Sequence, residues 1–149
     1  MSLDDLYREV ILDHYRTPRN RDPLEDSDAT ADGVNPLCGD EVVVALKLDG
    51  DTVAGISVTG QGCSISQASA SMMSEAVKGK TRSDIDEVTG KFRAMMSIDS
   101  DGDPGLDPDR PGAVLGDLEA LQGVRKYPVR IKCANLPWTT LAEALGDLP

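Results

Sequence analysis

Residues 41–60 alternate apolar and polar side chains on either side of Asp49-Gly50, and no other stretch restricts the fold as much. Val42, Val44, Leu46 and Leu48 share one face of a first strand; Thr52, Ala54, Ile56 and Val58 share one face of a second. A period of two marks strands that bury one face and leave the other in water. Asp-Gly is a favoured dipeptide for the two-residue turn between such strands. The chain is therefore expected to build an antiparallel hairpin and to cover its apolar face with something else.

Helices are the expected cover. From Ser64 to Val77 the period becomes helical, with Ile65, Ala68, Met72, Met73 and Ala76 inward. The serines and alanines between them are small enough to let this helix approach the sheet closely, and Gly79 suits its end. Leu3, Leu6, Tyr7, Val10 and Ile11 form the stripe of a first helix, with Ser2 as N-cap, Asp4 and Asp5 at its positive end, and Pro18 as its stop. Further helices are predicted over 83–96 and 111–122, the latter with proline near its first turn and Gly123 past its end. Residues 127–132 read as short and extended. Trp138, Leu141, Leu145 and Leu148 mark a final helix, and residues 19–34 read as a polar loop. The expected fold class is α+β: a small antiparallel β-sheet with helices packed on it.

Charge narrows the partners. Twenty-six acidic residues against fifteen basic ones give a formal net charge of −11, which repels phosphate backbones and argues against nucleic acid. No stretch approaches the roughly 20 apolar residues of a membrane span, and the start has no apolar leader. A cytoplasmic protein is expected. The acidic run 99–112 opens with Asp99, Asp101 and Asp103 at calcium-loop spacing. Pro104 and Arg110 occupy the positions where such a loop needs Gly and Glu, so an acidic loop is the better reading.

Three cysteines cannot form a complete disulfide framework, and in a reducing compartment such thiols are buried, metal-binding or catalytic. Cys38 lies in Asn-Pro-Leu-Cys-Gly-Asp before the first predicted strand. Cys63 lies in Gly-Gln-Gly-Cys-Ser between the second strand and a helix. Cys133 is placed between the extended segment and the last helix. All three fall at ends of elements, where loops present functional side chains from a rigid scaffold. Three unrelated small hydrophobes is the plain alternative. Cys63 and Cys133 are also expected to precede helices, whose amide ends favour thiolate over thiol.

Zinc sites are usually tetrahedral, so three thiolates require a fourth donor. Asp40 is the best candidate, since alternation along a strand puts it on the same side as Cys38. His14, the one histidine, is better read as a cation at a helix C-terminus. Zinc with three thiolates and one carboxylate carries a net charge of about −2. Arg125, Lys126, Arg130 and Lys132 either offset that charge or form a solvated strand face.

These residues resemble the U-type iron–sulfur cluster assembly family (IscU/NifU N-terminal-like) along nearly the whole chain. The matching motifs are Tyr7, Ile11-Leu12-Asp13-His14-Tyr15 with Pro18-Arg19-Asn20, Cys38-Gly39-Asp40, Gly62-Cys63, and Cys133 with its helix. Lys132 stands where the scaffold branch has histidine, and the segment between the second and third cysteines is long. Both features resemble the SufU branch of zinc-dependent sulfurtransferases. Pro128-Val129-Arg130 departs from the scaffolds' chaperone-binding motif. The resemblance implies one IscU/SufU-like domain over 1–149, with an acidic loop and helical insertion around 97–124. It implies Zn2+ on Cys38, Asp40, Cys63 and Cys133. It also implies a SufS-type cysteine desulfurase as sulfur donor, Cys38 as the persulfide-carrying catalytic residue, and a downstream iron–sulfur scaffold as recipient. Two alternatives stay open: an iron–sulfur cluster assembled on the same ligands, and a zinc-stabilised interaction module.

Overall fold

The hairpin closes where Asp49 pairs with Thr52, so the two turn residues are Gly50 and Asp51. Gly50 has φ +63, and glycine at the first central position is the signature of a type II′ turn. The computed structural model describes residues 2–96, 98, 105–107 and 109–146. Its strands are β1 (Ala29–Asn35), β2 (Asp40–Asp49) and β3 (Thr52–Gln61), in one antiparallel sheet of order β1-β2-β3. The helices are α1 (Leu3–Arg16), α2 (Ser64–Val77), α3 (Arg82–Met95) and α4 (Pro128–Gly146), with a 3₁₀ segment at Gly116–Lys126.

The α+β class is as expected, with corrections in detail. Residues 29–35 are a strand, not a loop: β1 pairs along its length with β2, from Ala29 opposite Leu46 to Asn35 opposite Asp40. On β3 the inward set is Val53, Ile56 and Val58, while Ala54 is exposed. A register shift at Lys47/Leu48 places Gly55 opposite Lys47 and Val53 opposite Leu48, which leaves Ala54 as an extra residue and reverses the faces beyond it. The predicted helix over 111–122 is replaced by turns up to Gly116 and the 3₁₀ segment after it. Residues 128–132 are helical, not extended, because Pro128 fits the first helical position. Asp99, Asp101, Asp103, Pro104 and Leu148 lie outside the described residues.

The core forms where the inward face of the sheet meets α2 and α4. α2 is the central helix, and every residue from Ser66 to Ser74 is buried. Its serines make this possible, since each buried hydroxyl finds a partner. Ser69 donates to the Ala134 carbonyl at 2.6 Å, and Ser74 donates to the Ser71 carbonyl at 2.6 Å. Ser71 meets His14 Nδ1 at 2.8 Å and accepts the Arg19 N–H at 3.0 Å. At the far side of the core Phe92 stacks on Trp138, with centroids 4.5 Å apart. α1 opens on the expected cap: the Ser2 side chain accepts from Asp5 N–H, and the Asp5 carboxylate accepts in return from Ser2. Among the described residues no helix is long and apolar enough to cross a membrane.

Candidate metal centre

Asn35-Pro36-Leu37-Cys38 is a turn whose composition dictates its shape. Proline at the second position sets φ, asparagine suits the first, and Cys38 N–H donates to the Asn35 carbonyl at 3.2 Å. Gly39 follows at φ +68, a conformation side chains resist, and Asp40 then pairs with Asn35 to start β2. Cys38 thus stands half-exposed at the tip of the β1–β2 hairpin. The sequence reading placed it only before a strand, because β1 was not seen.

Asp40 points inward and is fully buried. Its Oδ1 accepts the backbone N–H of Cys63, the residue that caps α2, at 2.8 Å. Its Oδ2 lies 3.7 Å from Cys63 Sγ. This approach needs glycine at 62, which adopts φ +145: a Cβ there would collide with Asp40 Oδ1 and stand 2.8 Å from its Cα.

Cys133 comes from inside α4, five residues beyond Pro128, and is fully buried. Its Sγ is 3.3 Å from Cys38 Sγ. The Asn35 side-chain amide donates to that sulfur at 3.7 Å. The expectation that Cys133 precedes a helix is therefore corrected, and with it the expected help from a helix N-terminus. Burial pushes the Cys133 thiol far above the ordinary range, and its hydrogen bonds with Cys38 and Asp40 add to that. Cys63, at the cap of α2, does hold the predicted position.

The structure brings Cys38, Asp40 and Cys133 together, with one ligand atom from each within 4.8 Å of the others. Cys63 joins through Asp40 and is not part of that closest triad. His14 stands apart, with both ring nitrogens engaged, Nδ1 by Ser71 and Nε2 by Asp117, each at 2.8 Å. It lies in the last turn of α1, the helix end expected from sequence, but it is buried there between Ser71 and Asp117. Of the basic cluster, Arg130 reaches the centre. The negative charge of Cys63 raises its pKa first, and a hydrogen bond to the Cys133 sulfur second. Lys132 is exposed. Asn35 and its amide were missed; the Asn-Pro opening of the turn was the available signal.

Three sulfurs and a buried carboxylate form a donor set that fits zinc, a borderline-soft ion content with four ligands. An open depression of about 910 Å³, lined by Leu37, Cys38, Cys63, Tyr127, Val129 and Arg130, gives outside access to Cys38. Val34, Leu37, Tyr127 and Val129 are unusually exposed for apolar residues.

The NifU-like N terminal domain family matches residues 6–134. Over 145 residues the chain is 49% identical to the zinc-dependent sulfurtransferase SufU of Bacillus subtilis, covering 97% of this chain and 92% of that protein. It is 36% identical to the iron–sulfur cluster assembly scaffold protein IscU of Streptococcus pyogenes, covering 96% and 84%. The crystal structure of FiSufU from Fervidobacterium islandicum AW-1 superposes with a TM-score of 0.79 at 33% identity, covering 97% of this chain and 99% of that one.

Proposed function

The chain belongs to the NifU-like N-terminal domain family, and from that premise we propose that it is a zinc-dependent sulfur carrier of iron–sulfur cluster assembly, with Cys38 as the accepting thiol. The observation that carries this reading is the position of Cys38. It is the one cysteine at a hairpin tip; it lines an open depression together with Cys63, which is held at the start of α2, while Cys133 is wholly buried behind it. A carrier needs one sulfur that a partner can reach and others that stay fixed. The 49% identity to a zinc-dependent sulfurtransferase supports the same class.

Zinc would be held by Cys38, Asp40, Cys63 and Cys133, and when bound it supplies the positive charge that keeps thiols deprotonated at neutral pH. The rest is the work of the chain's own residues. The turn Asn35–Cys38 presents the Cys38 thiolate to the depression. The donor is a SufS-type cysteine desulfurase carrying a persulfide on its own cysteine. Cys38 Sγ attacks the outer sulfur, a new S–S bond forms on Cys38, the partner's S–S bond breaks, and the partner's cysteine leaves as thiolate. Arg130, whose guanidinium interacts with the Cys63 and Cys133 sulfurs, would hold negative charge close to the exchange. The exposed apolar residues Leu37, Tyr127 and Val129 ring the depression and would meet the desulfurase. A downstream iron–sulfur scaffold receives the sulfur, and the setting is cytoplasmic.

A second reading, a cluster scaffold on the same four ligands, is favoured by the 36% identity to an IscU. Lys132 weighs against it, being an exposed cation directly before Cys133.

The deciding experiment incubates the purified zinc-loaded chain with desulfurase and cysteine and maps the added sulfur by mass spectrometry. The carrier reading expects the persulfide on Cys38, retention of zinc after turnover, and loss of desulfurase stimulation in Cys38→Ser. Sulfur found on Cys133 would overturn the role of Cys38. A stable cluster that displaces zinc under anaerobic iron loading would establish the scaffold.

A further inference from the structure

Cys38 and Cys133 are the closest pair of thiols described, 3.3 Å apart and separated by 95 residues of sequence. A disulfide needs about 2.05 Å, so the sulfurs must close by roughly 1.3 Å. Cys38 is on a turn that ends in a glycine at φ +68 with no heavy atom within 4 Å of where a Cβ would lie. That turn has room to move by this amount, whereas Cys133 is fixed in α4. The two sulfurs also differ in access, one half-exposed and one buried. Cys63 is placed differently, its sulfur meeting Asp40.

We propose that Cys38 and Cys133 form a reversible disulfide under peroxide, which converts the centre into a redox-sensitive switch. This goes beyond the carrier reading and does not depend on it, since it requires only the two thiols and an oxidant. Cys38 Sγ attacks one oxygen of hydrogen peroxide, the O–O bond breaks, and the departing hydroxide leaves as water once protonated. The sulfenic acid on Cys38 is then attacked by Cys133 Sγ; the S–S bond forms, the S–O bond breaks, and the second oxygen leaves as water. Two thiols are oxidised and one peroxide is reduced. Closure removes two of the four candidate metal donors at once, leaving Cys63 and Asp40, too few to retain a metal. It also buries the sulfur that would accept cargo, so metal release and loss of the accepting thiol occur in one step. The buried partner protects Cys38 as well, because rapid capture of the sulfenic acid keeps it from the irreversible sulfinic state.

The test treats the zinc-loaded chain with stoichiometric hydrogen peroxide and follows zinc with a chromogenic chelator. Intact mass and non-reducing peptide maps are recorded alongside. The expected result is release of about one zinc per chain, loss of two hydrogens in mass, and a crosslinked peptide pair containing Cys38 and Cys133. A dithiol reductant should restore zinc binding. Cys63→Ser, examined metal-free, should still form the crosslink, and Cys38→Ser should not. A Cys38–Cys63 crosslink, intermolecular dimers, or oxygen added to Cys38 without a crosslink would overturn the proposal. Failure here leaves persulfide mapping on Cys38 untouched, so the two readings fail separately.

Discussion

The backbone N–H of Cys63 donates to the Asp40 carboxylate at 2.8 Å, a bond that ties the first hairpin to the start of α2. One carboxylate oxygen is spent on that tie, and the other faces sulfur. The structural role of Asp40 and the metal-holding role proposed for it therefore fall on different atoms of one side chain, and mutation can part them.

Asp40→Asn keeps an oxygen that can accept the Cys63 N–H and removes the charge. Its metal-free stability should stay within about 1 kcal/mol of wild type, while zinc affinity falls at least tenfold. Asp40→Ala loses both functions and should also cost roughly 1–3 kcal/mol of folding stability. Denaturant unfolding of the metal-free proteins and competition titration with a chelator measure the two effects. Equal stability loss in both variants would show that the charge, not the hydrogen bond, holds the hairpin to α2.

Gly62→Ala should be among the most damaging small substitutions in the chain. The added Cβ meets the Asp40 side chain at a backbone angle of φ +145, and strain of this kind costs about 1–3 kcal/mol before the clash is counted. Zinc content after purification should fall with it. Gly39→Ala is the control, because its Cβ enters open space at φ +68 and should cost only about 1–2 kcal/mol. If Gly39→Ala proves the more harmful, the close approach at Asp40 is not what requires glycine at 62.

His14 bridges three elements, from α1 to Ser71 on α2 and to Asp117 in the 3₁₀ segment. His14→Ala leaves Ser71 short of a partner and opens a buried space, for an expected loss of about 2–4 kcal/mol. A double-mutant cycle with Asp117→Ala should return a coupling energy of about 0.5–3 kcal/mol. Additivity within error would mean the bridge contributes packing alone.

Stability and metal affinity should respond to pH in opposite senses. The buried Cys133 thiol titrates above its unfolded value, so the contribution it makes to the metal-free fold is complete below the unfolded thiol pKa of about 8.5. Above that pH the unfolded chain ionises first, and stability of the metal-free protein should decline as pH rises. Zinc must displace the same proton, so its affinity should rise over the same range. Calorimetry in buffers of different ionisation enthalpy would show proton release on zinc binding. A metal-free stability that climbs above pH 8.5 would contradict the sign.

The hairpin and α2 were legible because their periods are strong and their turn residues agree with them. β1 was not. Ala-Thr-Ala-Asp-Gly-Val-Asn carries polar and turn-favouring residues, and its strand state comes from pairing with β2 and from α4 packing against it, which a local pattern does not record. The same limit explains Ala54, whose exposure follows from a bulge that alternation alone cannot show. For the centre, the residue types and glycine spacings were readable and the distances were not. The sequence reads 127–132 as extended and so puts Cys133 at the end of an element, although Pro128 is at home in a first helical turn. Arg130 stands out from sequence only as one of four cations; its place beside the sulfurs follows from residues 128–132 being helical.

The candidate donors come from three stretches of chain that share nothing locally. Cys38 and Asp40 belong to a hairpin, Cys63 to the cap of α2, and Cys133 to a helix whose sulfur meets Cys38 across 95 residues. During synthesis on the ribosome the first two stretches emerge well before the last, and the full grip on a metal ion arises only once α4 has docked. A metal captured here is a late guest that rewards correct topology, unlike the ion of a zinc finger, which nucleates folding from neighbouring ligands. A chain made without the ion should therefore still fold, and fill only afterwards.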